Sequence, residues 1–537
     1  MRFTCSILPF LSLLPFITAR YVSVPNNGPR ENVGTGRSGQ LLKRDLNYTQ
    51  LYPTQHLKVP IDHFHNETIY SPHTNETFDL RYWFDASHYK DGGPVVVFQG
   101  GEASAEGTAP WLLQEGIMAQ LIQATHGIGV ILEHRYYGEN VPTSDFSTDN
   151  LRFLTTEQAM ADEAYFARHV VFKGLEHKNL TAPNVAYIGY GASYAGAFNA
   201  FLRIQYPEIF WGAISSSAVI KSWYNSSYYW EAAAKYGPPE CISTTRTLTN
   251  VVDNILLNNT AYTQQLKTAF GLQNITRGDL SPWHWPSFAN YCNNITTSDA
   301  VLYPISSEMK ASVQELITAG GHTPTTSLTN RMLNNIGYVN VTLVAPCKAN
   351  GLTQDQCASV QLRNASYLAA ATDLNQSWRP WRYQKCTQWG YHMYSSLGSS
   401  DPLPIVSRLT DSDRQYDVCK GAFNITTAPD TKLLDKYGGY KISYPRLAFV
   451  DGEKDNWRPL TPHGFTHGAK DRTSTASEPF MLIKGGVHGW DVLGSHPNEK
   501  ATAQVPQAVA DTQKLEVQIV QEWMQEWQLH CLANDSC

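Results

Sequence analysis

One serine of the 537-residue chain lies in a setting that could make it a nucleophile. The segment Ile188–Gly196 is Ile-Gly-Tyr-Gly-Ala-Ser-Tyr-Ala-Gly, in which an apolar strand runs into small residues and then into a helix. A serine at such a strand-turn-helix junction stands on a strained turn that exposes its hydroxyl. The helix that begins there offers backbone N–H groups to a developing oxyanion. Ser193 is therefore the predicted nucleophile, and the N–H of Tyr194 is one predicted oxyanion donor.

A serine hydroxyl needs a base, and two downstream loops supply candidates. One apolar segment runs into Asp451-Gly-Glu453-Lys-Asp455, and the next runs into a loop that holds His488. Both loops follow the carboxyl ends of predicted strands, where open parallel sheets place their ligand sites. The chain order Ser, acid, His is that of the α/β-hydrolase triad. His488 is the predicted base, while the three acids compete on the residues alone.

The elements that must position these residues alternate between strands and helices. The predicted strands are 95–98, 129–132, 184–189, 212–220, 446–450 and 479–484, and the predicted helices include 155–172, 195–206 and 507–528. Such β-α-β alternation predicts a parallel sheet covered by helices. Together with the serine turn, it predicts the α/β class and the α/β-hydrolase fold.

The alternation stops after residue 221 and resumes only before the acid-bearing loop. Residues 222–375 are rich in Asn, Thr, Tyr and Trp and hold four of the nine cysteines. We expect a largely helical inserted cap there, with the hydrolase domain formed by residues 45–221 and 376–537. An insertion at this point emerges at the edge of the sheet that carries the triad. It is therefore predicted to roof the site, to admit only short or flexible peptides, and to exclude water.

The start of the chain predicts secretion. A basic start, a short apolar run and small residues after it predict a signal peptide over residues 1–19. The run is shorter than the about 20 residues that a membrane span needs. Residues 20–44 are polar and end in Lys43-Arg44, which predicts a propeptide and a mature protein that starts near Asp45. The expected location is extracellular, with the vacuole or lysosome as the alternative.

Cysteine usage and glycosylation sequons agree with secretion. Without Cys5 the cysteine count is even, which is consistent with disulfides in an oxidising compartment. No Cys-x-x-Cys pair occurs in the sequence, and neither a metal nor a cofactor is predicted. N-glycosylation is predicted at Asn47, Asn66, Asn75, Asn179, Asn225, Asn258, Asn274, Asn294, Asn340, Asn364, Asn375, Asn424 and Asn534.

Composition argues against a disordered chain, a nucleic-acid-binding protein and a membrane-spanning protein. Hydrophobic residues make up 42% of the chain and charged residues 16%, so the chain can bury a large core and is not disordered throughout. The net charge of −6 argues against nucleic acid as the main partner. No other apolar stretch has the length of a membrane span, and none is predicted. Peptide substrates are the expected partners, and a homodimer is left open.

Several strings resemble one family of serine peptidases, which includes lysosomal Pro-X carboxypeptidase, dipeptidyl peptidase II, thymus-specific serine protease and fungal prolyl endopeptidases. The similar strings are Ile61–Phe64, Phe78–Trp83, Gly100–Glu102, Glu133–Glu139, Leu154–Ala159, the Ser193 turn and Trp381–Thr387. They cover most of the mature chain. Departures are Ala192 and Ala195 in place of glycines, Asn456 in place of a proline, and Gly489 in place of a second histidine. None of these departures removes a catalytic group.

The resemblance implies roles for residues that spacing alone leaves open. It implies that Asp455 is the triad acid and His488 the base, and that the enzyme cleaves after proline. The second oxyanion donor is then a backbone N–H of Gly100 or Gly101, on the loop after an earlier strand. The candidate residues of the substrate pocket are Glu102, Trp457 and Trp490.

The mode of cleavage is less constrained than the chemistry. The resemblance favours an exopeptidase of the Pro-X carboxypeptidase or dipeptidyl peptidase type. The alternatives are a prolyl endopeptidase, a secreted carboxylesterase or lipase with the same triad, and an inactive hydrolase that serves as a binding module. Inactive relatives usually lose a triad residue, and all three candidates are present in this chain.

Overall fold

The computed structural model describes residues 51–275, 288–354, 365–393, 395, 403–409, 412–465, 468–494 and 505–534. The predicted signal peptide and propeptide lie outside the described residues, as do the predicted glycosylation sites Asn47 and Asn364. The chain divides into two compact units, of which one includes Pro238–Ala358 and the other includes Val24–Gly237 and Ser359–Cys537.

An eight-stranded sheet forms the centre of the larger unit. In spatial order its strands are β1 (Gln55–Pro60), β2 (Thr77–Asp85), β4 (Ile128–Leu132), β3 (Val95–Gln99), β5 (Tyr187–Ala192), β6 (Phe210–Ser216), β9 (Leu447–Gly452) and β10 (Phe480–Ile483). Strand β2 is antiparallel to both β1 and β4. All pairs from β4 to β10 are parallel. A second, short parallel sheet pairs β7 (Trp223–Asn225) with β8 (Gly390–His392).

The central strands form where the sequence is apolar without interruption, because both faces of the sheet are covered. Every residue of β3 is buried. Side chains of a strand alternate between faces, so Val95 and Val97 pack into one hydrophobic cluster while Val96 and Phe98 pack into another. The sheet therefore separates two cores.

Helices accompany the sheet in the larger unit. They are α1 (Ala109–Gln114), α2 (Gly116–Thr125), α3 (Thr148–Leu151), α4 (Thr156–His169), α5 (Tyr194–Gln205), α6 (Tyr228–Tyr236), α13 (Ala365–Ala370), α14 (Arg379–Gln384), α15 (Ser412–Phe423) and α16 (Gln507–Asn534). Thr155 is the N-cap residue of helix α4, and its side chain accepts a hydrogen bond from the Gln158 N–H. Helix α16 is fixed by the buried Trp523, which donates to the Ala476 carbonyl.

The smaller unit is helical in its described part. Its helices are α7 (Pro239–Asn258), α8 (Thr263–Ala269), α9 (Phe288–Thr296), α10 (Ser307–Ala319), α11 (Thr326–Val339) and α12 (Ala345–Ala349). It has a hydrophobic core of its own, which includes Val251, Leu316 and Leu333. The disulfide Cys241–Cys292 lies within it. That the inserted residues roof the active site stays a prediction.

The predicted α/β-hydrolase architecture is confirmed, with two corrections to strand bounds. The strand predicted at 184–189 is Tyr187–Ala192, because Asn184 N–H instead closes a turn onto the Thr181 carbonyl. The strand predicted at 212–220 ends at Ser216, because Ser217 turns into the left-handed region. In the larger unit Cys386 and Cys419 form a disulfide. Among the described helices, none combines the length and apolar character needed to cross a membrane.

Candidate active site

Ser193 occupies the turn between β5 and α5. Its backbone has φ 64° and ψ −125°, a conformation that a non-glycine residue rarely adopts and that marks the nucleophile turn of this fold. Its N–H donates to the Ser216 carbonyl on the neighbouring strand at 3.0 Å. A side chain at Gly191 would place its Cβ 2.3 Å from the Ala195 carbonyl oxygen, so only glycine fits before the turn. The residue types at this turn are therefore dictated by close packing around the serine.

Asp455 and His488 meet across two loops that follow β9 and β10. The His488 Nδ1 atom lies 2.6 Å from Asp455 Oδ2. The other carboxylate oxygen, Oδ1, accepts the Trp457 N–H at 2.7 Å, and the Asp455 side chain is buried. A carboxylate held in this way orients the imidazole and stabilises its protonated form.

The two other candidate acids, Asp451 at the end of β9 and Glu453 just after it, have different partners. Asp451 Oδ2 lies 2.7 Å from Nδ1 of the buried His463, whose ring stacks on Phe480. Glu453 Oε2 accepts the N–H of Gly485 at 2.8 Å. The structure thus brings one of the three predicted acids to His488 and assigns the other two to contacts within the loops.

Electrostatics favour the protonated form of the His488 imidazole. Burial alone would lower its pKa, but the charge and hydrogen bond of Asp455, with smaller contributions from Glu102 and Asp451, raise the pKa above the ordinary value. Burial raises the pKa of Glu102 to about 7, against the opposing effects of its own backbone N–H and the charge of His488. Glu102 therefore lies within electrostatic reach of the predicted base.

The His488 loop lies against the serine turn. A Cβ placed on Gly489 would be 3.8 Å from the Cβ of Ala192, the residue before Ser193. Gly489 has φ 62° and its N–H donates to Ser217 Oγ at 2.9 Å. Because β5, β9 and β10 belong to one parallel set, the loops that follow them share one edge of the sheet. The sequence-predicted Ser193, Asp455 and His488 are all on that edge.

Tyr194, the residue after the serine, is held by a buried hydrogen-bond network. Its hydroxyl lies 2.9 Å from His134 Nε2 and accepts the Gln384 side-chain N–H at 2.9 Å. Tyr137 in turn donates to Gln384 Oε1. Burial lowers the pKa of His134 to about 4, so this imidazole is neutral. Its Nδ1 faces the Arg135 carbonyl, which only accepts; Nδ1 therefore carries the proton and Nε2 accepts from Tyr194.

This network accounts for two strings that the sequence singles out without assigning them a role. His134 and Tyr137 belong to the Glu133–Glu139 string, and Gln384 belongs to the Trp381–Thr387 string. Both strings thus converge on the side chain of Tyr194. They therefore hold the side chain of the residue whose N–H is the predicted oxyanion donor.

The rest of the Glu133–Glu139 string is scaffold. Arg135 makes a buried bidentate ion pair with Asp162, with both N–O distances at 2.6 Å, and also donates to the Ile61 and Phe153 carbonyls. Glu133 Oε1 accepts the Ala105 N–H at 3.0 Å. These contacts tie the segment after β4 to neighbouring parts of the chain, and none of them is made to Ser193, Asp455 or His488.

The two glycines predicted to supply the second oxyanion donor differ in their bonds. The Gly100 N–H donates to the Leu132 carbonyl at 2.8 Å and is thereby engaged in the sheet. The Gly101 N–H makes only a longer bond of 3.3 Å, to Gln99 Oε1. A Cβ on Gly101 would lie 3.6 Å from the Ala195 Cβ, so this residue adjoins the first turn of α5. Of the two, Gly101 remains the candidate donor.

The two tryptophans predicted for the substrate pocket pack against different cores. Trp457 is half-buried, and its ring meets Tyr229 and Tyr391 edge-on at centroid distances of 4.9 and 5.3 Å. Trp490 packs against the cluster on the opposite face of the sheet. The structure therefore favours Trp457 over Trp490 as a pocket wall. Tyr229 and Tyr391 were missed, because nothing in the sequence places either beside the β9 loop.

Comparisons with known proteins find relatives among the serine peptidases. The profile of the family described as "Serine carboxypeptidase S28" matches residues 59–509. The chain is 44% identical over 508 residues to the "Probable extracellular serine carboxypeptidase" of Arthroderma benhamiae, covering 91% of this chain and 70% of the relative. It is 26% identical over 514 residues to "Prolyl carboxy peptidase like protein 5" of Caenorhabditis elegans, covering 88% and 90%. It is 24% identical over 494 residues to the thymus-specific serine protease of Mus musculus, covering 88% and 87%.

Proposed function

The chain belongs to the serine carboxypeptidase S28 family, and from this premise we propose that it is a secreted serine exopeptidase that cleaves on the C-terminal side of proline. The observation that carries the proposal is the Asp455–His488 pair, 2.6 Å apart, on the sheet edge that also carries Ser193 in its strained turn. The names of two relatives, one an extracellular serine carboxypeptidase and one a prolyl carboxypeptidase-like protein, support secretion and the preference for proline.

Acylation uses the triad and the oxyanion donors. Ser193 Oγ attacks the carbonyl carbon of the scissile bond while His488 Nε2 takes the hydroxyl proton, and Asp455 stabilises the imidazolium. The carbonyl π electrons move to the oxygen, where the N–H groups of Tyr194 and Gly101 stabilise the negative charge. When the tetrahedral intermediate collapses, the C–N bond breaks and the leaving amine takes the proton from His488. The product of this half-reaction is an acyl ester on Ser193.

Deacylation repeats the same steps with water. His488 removes a proton from a water molecule that attacks the ester carbonyl, and the same two N–H groups hold the second oxyanion. Collapse of this intermediate returns the proton to Ser193 Oγ and releases the carboxylic acid. The neutral form of His488 is therefore required at the start of each half-reaction.

The pocket and the cap complete the proposal. A proline ring fits a small apolar slot with aromatic walls, and Trp457 with Tyr229 and Tyr391 supplies three such rings. Residues 222–375 are proposed to act as the cap that restricts access to peptide ends. The cap is tested by competition between a short prolyl peptide and a folded protein that contains exposed proline. Comparable kcat/KM values for the two substrates would show that no cap restricts access.

A substrate panel tests the function. It compares fluorogenic peptides that end in Pro-X, peptides that begin with a free X-Pro dipeptide, peptides with internal proline and both ends blocked, and p-nitrophenyl esters. The wild type is expected to prefer one of the first two, and Ser193→Ala to lose about 10³-fold or more in kcat. Fastest cleavage of the blocked peptides would indicate an endopeptidase, and turnover of esters alone would contradict the proposal that the enzyme is a peptidase. Full activity of Ser193→Ala would refute the assignment of Ser193 as the nucleophile.

A further inference from the structure

The segment Ser216–Ser217, at the end of β6, contacts both loops that the proposed reaction needs. The Ser193 N–H donates to the Ser216 carbonyl at 3.0 Å. The Gly489 N–H, in the residue after His488, donates to Ser217 Oγ at 2.9 Å. Two adjacent residues therefore tie the serine turn and the histidine loop to one short stretch of backbone.

Ser217 adopts a backbone conformation that serine rarely takes. Its φ is 42°, in the left-handed region, and its side chain is buried. Its own N–H donates to the Val450 carbonyl on β9 at 2.7 Å. Strained residues of this kind persist only where the surroundings fix them, and they cluster at functional sites. Here the strained residue is the one whose Oγ accepts the hydrogen bond from the Gly489 N–H.

We propose that Ser217 is a positioning residue for the triad, which sets the placement of the His488 backbone relative to Ser193. Asp455 holds the imidazole at Nδ1 and so controls the orientation of the ring. The peptide between His488 and Gly489 is held instead by Ser217 Oγ. Gly489 has φ 62° and no side chain that could anchor the loop itself. The inference rests on the proposed function, because it concerns the distance between its base and its nucleophile.

The preceding residues of β6 show which serine can serve as a control. Ser215 lies on β6, two residues before Ser217, and is as deeply buried, and within the described residues its Oγ has no hydrogen-bond partner. Ser216 is unsuitable, because its Oγ donates to Asp491 in the histidine loop at 2.6 Å. Ser215→Ala therefore removes a buried hydroxyl two residues from Ser217 that makes no hydrogen bond to the histidine loop.

The test compares Ser217→Ala, Ser217→Gly and Ser215→Ala with the wild type on a short prolyl peptide. A fluorophosphonate probe, which labels a reactive serine, counts the competent sites, so that kcat is expressed per labelled site. Both Ser217 variants are expected to lose about 10- to 100-fold in kcat while KM changes by less than about twofold. Ser215→Ala is expected to keep the wild-type kcat.

Two further readouts separate positioning from folding. Glycine adopts a φ of 42° without strain, so Ser217→Gly is expected to fold at least as well as Ser217→Ala and yet to lose the same kcat. Loosening the histidine loop weakens the Asp455 contact, so the acid limb of kcat is expected to move to lower pH in both variants.

Several outcomes would overturn the proposal. One is a kcat per labelled site within about twofold of the wild type in either Ser217 variant. Another is a loss of kcat in Ser215→Ala as large as that in the Ser217 variants. A third is failure of both Ser217 variants to fold, because Ser217 would then be required for folding and not for positioning. A wild type that the probe does not label at Ser193 would refute the proposed function instead.

Discussion

The Nδ1 atom of His488 lies 2.6 Å from Oδ2 of Asp455, and the second oxygen of this buried carboxylate accepts the N–H of Trp457. Asp451, four residues earlier at the end of β9, lies 2.7 Å from Nδ1 of another histidine, His463. Two acid–histidine pairs thus form at the end of β9 and just after it, and one of them includes the histidine that follows β10. Geometry favours Asp455 as the triad acid.

Amide substitutions of the three loop acids should separate their roles. Asp455→Asn is expected to lower kcat by about 10⁴-fold, because the amide favours the wrong tautomer of His488. Asp451→Asn and Glu453→Gln are expected to cost less than about tenfold, since their partners are His463 and a backbone N–H. The measurements are kcat on a prolyl peptide and the melting temperature of each variant. A larger kcat loss from Asp451→Asn in a folded variant would reverse the assignment.

Glu102 should shift the acid limb of the pH profile. Its charge contributes to raising the pKa of His488, and the base must be neutral to work. Glu102→Gln removes that charge, so the pKa of His488 falls and the acid limb of kcat/KM is expected to move to lower pH. Glu106→Gln, a substitution of an exposed acid on the same loop, is the control. A limb that stays in place or moves to higher pH would show that Glu102 does not act on His488.

Trp457 should contribute to the preference for proline. Its ring packs edge-on against Tyr229 and Tyr391, whereas Trp490 packs against the core on the other face of the sheet. Trp457→Ala is expected to reduce the ratio of kcat/KM for a prolyl over an alanyl substrate by about 10-fold or more, as for a damaged apolar pocket. Trp490→Phe is the comparison and should leave the ratio unchanged. Equal ratios in wild type and Trp457→Ala would remove Trp457 from the pocket.

Strands and turns that are determined by short stretches of sequence were predictable. A strand buried on both faces is a continuous apolar run, as in Val95–Val97, and a serine turn between strand and helix requires small residues such as Gly191. The fold and the family were therefore predicted and are confirmed. Strand ends were less predictable, because the apolar run after Ser216 continues in a buried turn rather than in the strand.

Contacts between distant segments were not predictable from residue types. The acid of the triad depends on which of three neighbouring carboxylates faces His488, and spacing alone does not decide it. The strings around His134 and Gln384 were recognised, yet their convergence on Tyr194 needs the folded chain. No sequence pattern points to Ser217, because its proposed role follows from a backbone conformation and a partner 272 residues away.

A phenol on β5, a carboxyl group in the turn after β10 and a carboxyl group on α16 form a buried cluster. The Tyr190 hydroxyl lies 2.5 Å from Asp491 Oδ2 and 3.1 Å from Glu516 Oε1 on α16. A phenol has one proton and can donate it to only one of the two carboxyl groups. The other must be protonated to make a hydrogen bond with the phenol oxygen. Burial accordingly raises the pKa of Asp491 to about 6 and that of Glu516 well above the ordinary value.

This cluster should make the fold less stable as pH rises. Carboxyl groups of the unfolded chain titrate near pH 4, so the folded protein holds these protons more tightly. The stabilisation is complete below about pH 4 and is lost between about pH 4 and the folded-state pKa of each group, which is about 6 for Asp491 and well above the ordinary value for Glu516, by up to about 1.4 kcal/mol per pH unit and group. Glu516→Gln keeps a donor without a titrating proton and should flatten the fall in melting temperature between about pH 5 and 8. Glu522→Gln, on the same helix, should not. A wild-type melting temperature that holds or rises over this range would contradict the assignment.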